Sequence, residues 1–205
     1  MPGTEAEADC ITDNLTGLMW PKNGNLSNGS RLWQGALDYV AQLNNSGGLC
    51  GYSDWVLPNI NELESLINAN EPDLATWLNS QGFANVQSYG YWSSTTDTYS
   101  PSYAWIVMSP FYQSPNSSKD NAFYVWPVRS GQYSEIWKTG QTKCYSGVSP
   151  FNEVSCAGTG QDGEIQAGVA WPEPRFTDNG MVTDNLTGLM WLKDANCIKT
   201  NYPAF

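Results

Sequence analysis

The chain has no histidine, only nine lysines and arginines against twenty acidic residues, and no uncharged apolar run near the eighteen residues a membrane helix needs. Its five cysteines include no CxxC pair. Without imidazole or paired thiols, zinc-finger, haem-attachment and thioredoxin-like sites are excluded. The cations stand singly in a net charge of −11, so no cluster exists to bind a phosphate backbone, and nucleic acid is not an expected partner. The same field opposes sulfated polysaccharides and anionic membranes. The opening Met-Pro-Gly-Thr-Glu-Ala-Glu is acidic and does not read as a signal peptide, so an exported form is expected to have lost its leader from this numbering.

What is present is aromatic and repetitive. With 205 residues, 40% hydrophobic and 13% aromatic, the chain is long enough for one good core and an appendage. The nine residues Thr12 to Trp20, Thr-Asp-Asn-Leu-Thr-Gly-Leu-Met-Trp, return unchanged at Thr183 to Trp191. Only the first copy is followed by enough chain for a domain. The reading is one complete unit, a connector and the opening of a second unit.

Local signals place elements along the first unit. Ile11, Leu15, Leu18 and Trp20, with Asp13-Asn14 and Thr16-Gly17, predict a strand and turn. Ser30 to Asn45 predicts a helix, with Trp33, Ala36, Leu37, Val40 and Leu43 on one face and Asn44 to Gly48 ending it. A second helix is expected after Pro58, with Asn59 as N-cap and Glu62 completing a capping box. Strands are expected at 91–96, 103–109 and 122–129, with Pro127 marking an edge or bulge in the last. Trp92, Trp105 and Trp126, at strand spacing, are expected in the core.

Cys144 and Cys156 bracket a loop rich in Gly, Ser, Pro and Asn, and Cys10 and Cys50 lie at the two ends of the first helical portion. Disulfides there would contribute about 3 and about 4 kcal/mol by loop entropy, and would put the protein outside the cell. The alternative is five buried thiols in a reducing compartment. Cys197 is the odd cysteine.

Five motifs then occur in order: Thr12 to Trp20, Leu49 to Asn59 (Leu-Cys-Gly-Tyr-Ser-Asp-Trp-Val-Leu-Pro-Asn), Asn61-Glu62-Leu63, Tyr91 to Thr95 (Tyr-Trp-Ser-Ser-Thr) and Tyr124 to Arg129 (Tyr-Val-Trp-Pro-Val-Arg). Together they resemble the Lcl C-terminal domain family, named for a bacterial collagen-like surface adhesin. Arg175 to Cys197 resembles the junction before another such domain. Two positions depart from the family pattern, with Val56 and Trp126 standing where the family usually carries Arg. The resemblance implies a C-type-lectin-like fold related to that of the formylglycine-generating enzyme, on extracellular proteins that bind or adhere.

The expected fold is therefore α+β: a C-type-lectin-like domain (1–130) with two helices and a small antiparallel sheet, a β-rich disulfide-closed connector (131–174), and an orphan hairpin (175–205). No catalytic constellation is found, because Asp54, Glu62 and Glu64 are accounted for by turn and capping duties. No cofactor is expected. Asp13-Asn14 and Asp184-Asn185 read as Asx-turns, with structural calcium as the alternative. Residues Ser88 to Tyr124 hold six of the eleven tyrosines among Ser, Thr, Asn and Asp, a mixture suited to recognition. The resemblance implies an exposed binding face here. The candidate ligand-binding residues are Tyr99, Tyr103, Tyr112, Asn116, Lys119 and Asn121, for a protein or glycan on a surface. The repeated hairpin makes Phe176, Leu186, Leu189, Met190 and Trp191 the candidate assembly residues, with self-association expected. Packing on the same chain and a disordered remnant are the alternatives. The functional expectation is a non-catalytic extracellular adhesin, or alternatively a subunit of a surface filament joined by strand or hairpin exchange.

Overall fold

The computed structural model describes residues 9–108, 115–130, 135–194 and 196. Among them the chain is mixed α+β, with four helices and several small antiparallel sheets, and it divides into two compact units, the first running to Val169 and the second from Ala170. No helix of the described residues is long and apolar enough to cross a membrane.

The first unit opens with strands β1 (Cys10–Thr12) and β2 (Met19–Pro21), paired Ile11 to Trp20 and Thr12 to Met19. The turn between them is written into the sequence. The Asp13 carboxylate accepts the Leu15 N–H at 2.8 Å and the Thr16 hydroxyl at 2.6 Å, and Gly17 takes the left-handed conformation that closes it (φ 72°). Helix α1 (Trp33–Asn45) buries Trp33, Ala36, Leu37 and Val40. It stops where Gly48, also left-handed, sits so close to the Tyr52 carbonyl that a Cβ would collide. Asn44 then fastens the helix end, its side chain exchanging two hydrogen bonds with the Trp55 backbone.

Helix α2 (Ile60–Glu64) has the expected capping box. Asn59 accepts from the Glu62 N–H at 3.0 Å and the Glu62 carboxylate accepts from the Asn59 N–H at 2.9 Å. A third helix, α3 (Leu74–Ser80), adds to the two that the sequence predicts; Asp73 caps it by accepting from Ala75 N–H and the Thr76 hydroxyl.

Strands β3 (Gly90–Thr96), β4 (Tyr103–Met108) and β5 (Asn116–Ser118) form one antiparallel sheet in sequence order. β3 is buried along its whole length because both of its faces are covered. Alternate residues go to different cores: Tyr91 and Val107 join Leu63, Leu66, Leu74 and Leu78 from α2 and α3, whereas Trp92 and Ile106 join Trp33, Leu37 and Val40 from α1. Trp92 and Trp126 are buried as expected, and Trp105 is half-buried.

One expectation is corrected. Residues 122–129 do not form a strand; they thread between layers and make single bridges to four separate places, Arg31, Tyr91, Val56 and Met19. Pro127, lacking an N–H, suits such a segment better than a ladder. The first hairpin's Leu18 and Trp20 pack on the α2 and α3 side, in the cluster with Trp126, while Cys10 and Met19 face the α1 cluster.

Residues 135–169 belong to the first unit. Strands β6 (Cys144–Tyr145) and β7 (Glu153–Val154) pair beside the Cys144–Cys156 disulfide, and helix α4 (Asp162–Ile165) follows. The segment is tied to the body by Asn61 to the Trp137 carbonyl, Gln141 to both backbone groups of Thr96, and Asn59 to the Ala167 carbonyl. A second disulfide joins Cys10 and Cys50, so both expected pairs are present, while Cys197 lies outside the described residues. In the second unit, β8 (Phe176–Asp178), β9 (Val182–Asp184) and β10 (Met190–Trp191) make an antiparallel sheet in the order β10-β9-β8.

Candidate functional site

One end of the β3-β4-β5 sheet gathers most of the residues expected to contact a ligand. Asp97, just past β3, organises it. Its carboxylate accepts the Tyr99 N–H at 2.9 Å on one oxygen and the Asn116 side-chain amide on the other, which stitches the β3-β4 loop to β5. The loop itself is closed by backbone bonds from Asp97 to Tyr103, Ser100 to Asp97 and Tyr103 to Ser100. A second turn follows β5, where Asn121 donates from its backbone to Ser118 and from its amide to the Ser117 hydroxyl at 3.0 Å.

Tyr99 is 96% exposed, and Tyr103, Asn116 and Asn121 are exposed around it. Tyr112 lies outside the described residues. The result is a surface with two exposed aromatic rings carried on a turn closed by backbone bonds, beside two amides held by side-chain bonds, able to stack on and hydrogen-bond to a ligand without covalent chemistry.

Lys119 does not belong to that surface. Its side chain is fully buried, with the ammonium 3.8 Å from the centre of the Trp33 ring and 3.4 Å from the Ser146 carbonyl. Burial without a carboxylate partner lowers its pKa from the ordinary lysine value to about 7. The Ser-Ser-Lys-Asp-Asn context reads as a solvated turn; the aromatic lid comes from α1, far away in sequence.

Residues 135–169 bring a group that sequence reasoning missed. Asp162, buried, accepts the Thr95 hydroxyl at 2.8 Å and the Thr139 hydroxyl at 2.7 Å. Burial raises its pKa, and burial chiefly, with the Asp162 charge adding to it, raises Glu62 to about 7. Each is only 1% exposed, so these carboxyls are held where no substrate reaches them in this conformation. Asp54 is committed to Arg129 at 2.6 Å, and the same guanidinium lies 3.8 Å from the centre of the Tyr52 ring. Glu64 is exposed. A cleft of about 350 Å³, lined by Leu37, Asp38, Ala41, Leu57, Gly160 and Ile165 among others, separates α1 from the loop before α4.

No group of three or more metal-ligating side chains occurs among the described residues. The oxygens of Asp13 and Asp184, the positions weighed for calcium, are occupied by their own turns: Asp184 accepts the Leu186 N–H at 3.0 Å and the Thr187 hydroxyl at 3.1 Å, and is paired with Arg175.

Of the assembly candidates, Phe176, Leu189, Met190 and Trp191 are exposed on the second unit and Leu186 is half-buried.

No curated protein matches the chain. A family model described as the Lcl C-terminal domain matches residues 9–129, which takes in the opening hairpin, both cores, the sheet and its exposed end. By that match, over more than half its length, the chain belongs to the Lcl C-terminal domain family.

Proposed function

We propose that this chain is an extracellular, non-catalytic recognition module of C-type-lectin-like fold, which attaches a bacterial surface to a protein or glycan through the end of its β3-β4-β5 sheet. The observation that carries the reading is the exposed set Tyr99, Tyr103, Asn116 and Asn121, in which the Asp97 carboxylate ties the Tyr99 backbone to Asn116 and the Ser117 hydroxyl holds Asn121. Aromatic rings with little conformational freedom and adaptable amides are the chemistry of a contact surface. Two disulfides support an oxidising location, and the family membership supports a surface role. The ligand is neutral or basic, because the chain carries −11 and its lysine in this region points inward.

The test is binding of the purified chain to arrayed neutral glycans, heparin and extracellular-matrix proteins, beside a Tyr99→Ala/Asn121→Ala variant of unchanged fold. Binding to a neutral glycan or a matrix protein that falls at least tenfold in the variant supports this face. A ligand held equally by both proteins moves the site elsewhere, and tight salt-resistant heparin binding contradicts the electrostatic reading.

A further inference from the structure

The two hairpins share more than sequence. Thr12 pairs with Met19 as Thr183 pairs with Met190, and Ile11 with Trp20 as Val182 with Trp191. The Asp N–H to Leu carbonyl bond is 2.8 Å in both, and Gly17 and Gly188 have φ of 72° and 73°. Their surroundings differ. Leu18 and Trp20 are 0% exposed among Leu63, Leu74, Leu78 and Trp126, whereas Leu189 and Trp191 are 55% and 57% exposed.

The socket that holds the first hairpin reads its backbone as much as its side chains. Met19 and Arg129 exchange both backbone hydrogen bonds at 2.9 Å, and the Trp126 indole N–H donates to the Pro21 carbonyl at 2.9 Å. Any residue can supply those groups except for a proline at position 19, so Met190 and Leu192, the counterparts of Met19 and Pro21, can supply them too. One feature of the resident hairpin has no counterpart. Cys10 is bonded to Cys50, and the position matching Cys10 is Met181.

We infer that the C-terminal hairpin is a second occupant for the socket of residues 10–21, in another copy of this chain, and that the Cys10–Cys50 disulfide keeps it out. Replacing one hairpin by the other buries the same Leu and Trp, so the exchange is close to neutral in burial and the covalent tie decides which hairpin stays. A chain with the disulfide closed holds its own hairpin. Before Cys10 has been oxidised against Cys50 the two hairpins compete for the socket, and as chain concentration rises one subunit's C-terminal hairpin enters the next subunit's socket, a head-to-tail contact that propagates. The expected self-association takes this form, independently of the ligand face.

The test uses the full chain with Cys10→Ser, Met181→Cys and Cys197→Ser. A C-terminal hairpin seated in a neighbour's socket brings position 181 to Cys50, so non-reducing gels should show a ladder of linked chains and peptide mapping a 181-to-50 bond. Adding Leu189→Asp and Trp191→Asp should abolish both. Retained fold without that bond, or a bond formed within one chain, overturns the inference. Should loss of Cys10 prevent folding, the Met181→Cys/Cys197→Ser chain is refolded from the reduced state at rising concentration. The intermolecular 181-to-50 fraction should then rise with concentration and vanish with the two aspartates, and its absence at every concentration overturns the inference equally.

Discussion

The same nine residues fold twice in this chain into the same turn with the same register, once with Leu18 and Trp20 sealed inside a core and once with Leu189, Met190 and Trp191 exposed. The difference separates two kinds of information. Register and turn are local: the Asp carboxylate, the Thr hydroxyl and the left-handed Gly lie within a few residues of one another. Burial is not local. It comes from α2, α3 and the closing segment, whose Trp126 meets Trp20 edge-on with ring centres 5.7 Å apart.

The contrast is sharpened most by the matched tryptophans. Trp20→Ala should cost about 3–5 kcal/mol in unfolding of the first unit, since it empties a packed site. Trp191→Ala, at a surface position, should change the stability of the second unit by no more than about 0.5 kcal/mol. Urea denaturation of each variant checks both. Equal costs would mean that both hairpins are buried in solution.

Acidity should divide the units next. Glu62 is raised by burial from 4.5 to about 7, so from pH 4.5 to 7 the folded first unit holds a proton that the unfolded chain has lost, and its stability falls as pH rises through that window. Lys119 is lowered from 10.5 to about 7, so from pH 7 to 10.5 the folded state has released a proton that the unfolded chain keeps, and stability recovers. The first unit should therefore be least stable near pH 7, by on the order of 3 kcal/mol relative to either arm. Glu62→Gln should make the acid arm shallower, leaving the part that the raised Asp162 contributes, and Lys119→Met should flatten the alkaline one. The second unit should behave differently. The hydrogen bond from Arg175 lowers the Asp184 pKa, so its contribution is present above the usual carboxylate range and lost as pH falls through it. Backbone amide signals of the two hairpins, followed by NMR across pH in one sample, read both units at once.

One effect should be shared by both hairpins. Asp13→Ala and Asp184→Ala each remove an Asx-turn and should loosen their own hairpin by about 1 kcal/mol. Amide exchange at Leu15 and Leu186 is the check. An effect at only one of them would show that the turn is not locally encoded after all.

Legibility in the sequence follows the same division. The first hairpin, α1 and the Asn59-Glu62 capping box were readable because each is fixed by residues within one or two turns. Both disulfides were readable from the loops they close. Helix α3 escaped notice because its seven residues are too few to display a period, although Asp73 and Thr76 carried a capping signal. Residues 122–129 looked like a strand because aromatic and β-branched side chains suit any buried extended segment, whether or not a ladder forms. At the site, Tyr99 and Asn121 were readable as exposed because polar loops are seldom covered. Lys119 and Asp162 were not, since what buries them comes from segments distant in sequence.

The most direct test of the claim that surroundings, and not the shared turn, set the two hairpins apart is native-state hydrogen exchange at Asp13 and Asp184. Their N–H groups make the same 2.8 Å bond to the same carbonyl in the repeat. Asp13 should exchange only through global unfolding of the first unit and Asp184 through local opening, with protection differing by roughly 100-fold or more. Equal protection in the monomeric, disulfide-closed chain would contradict the claim.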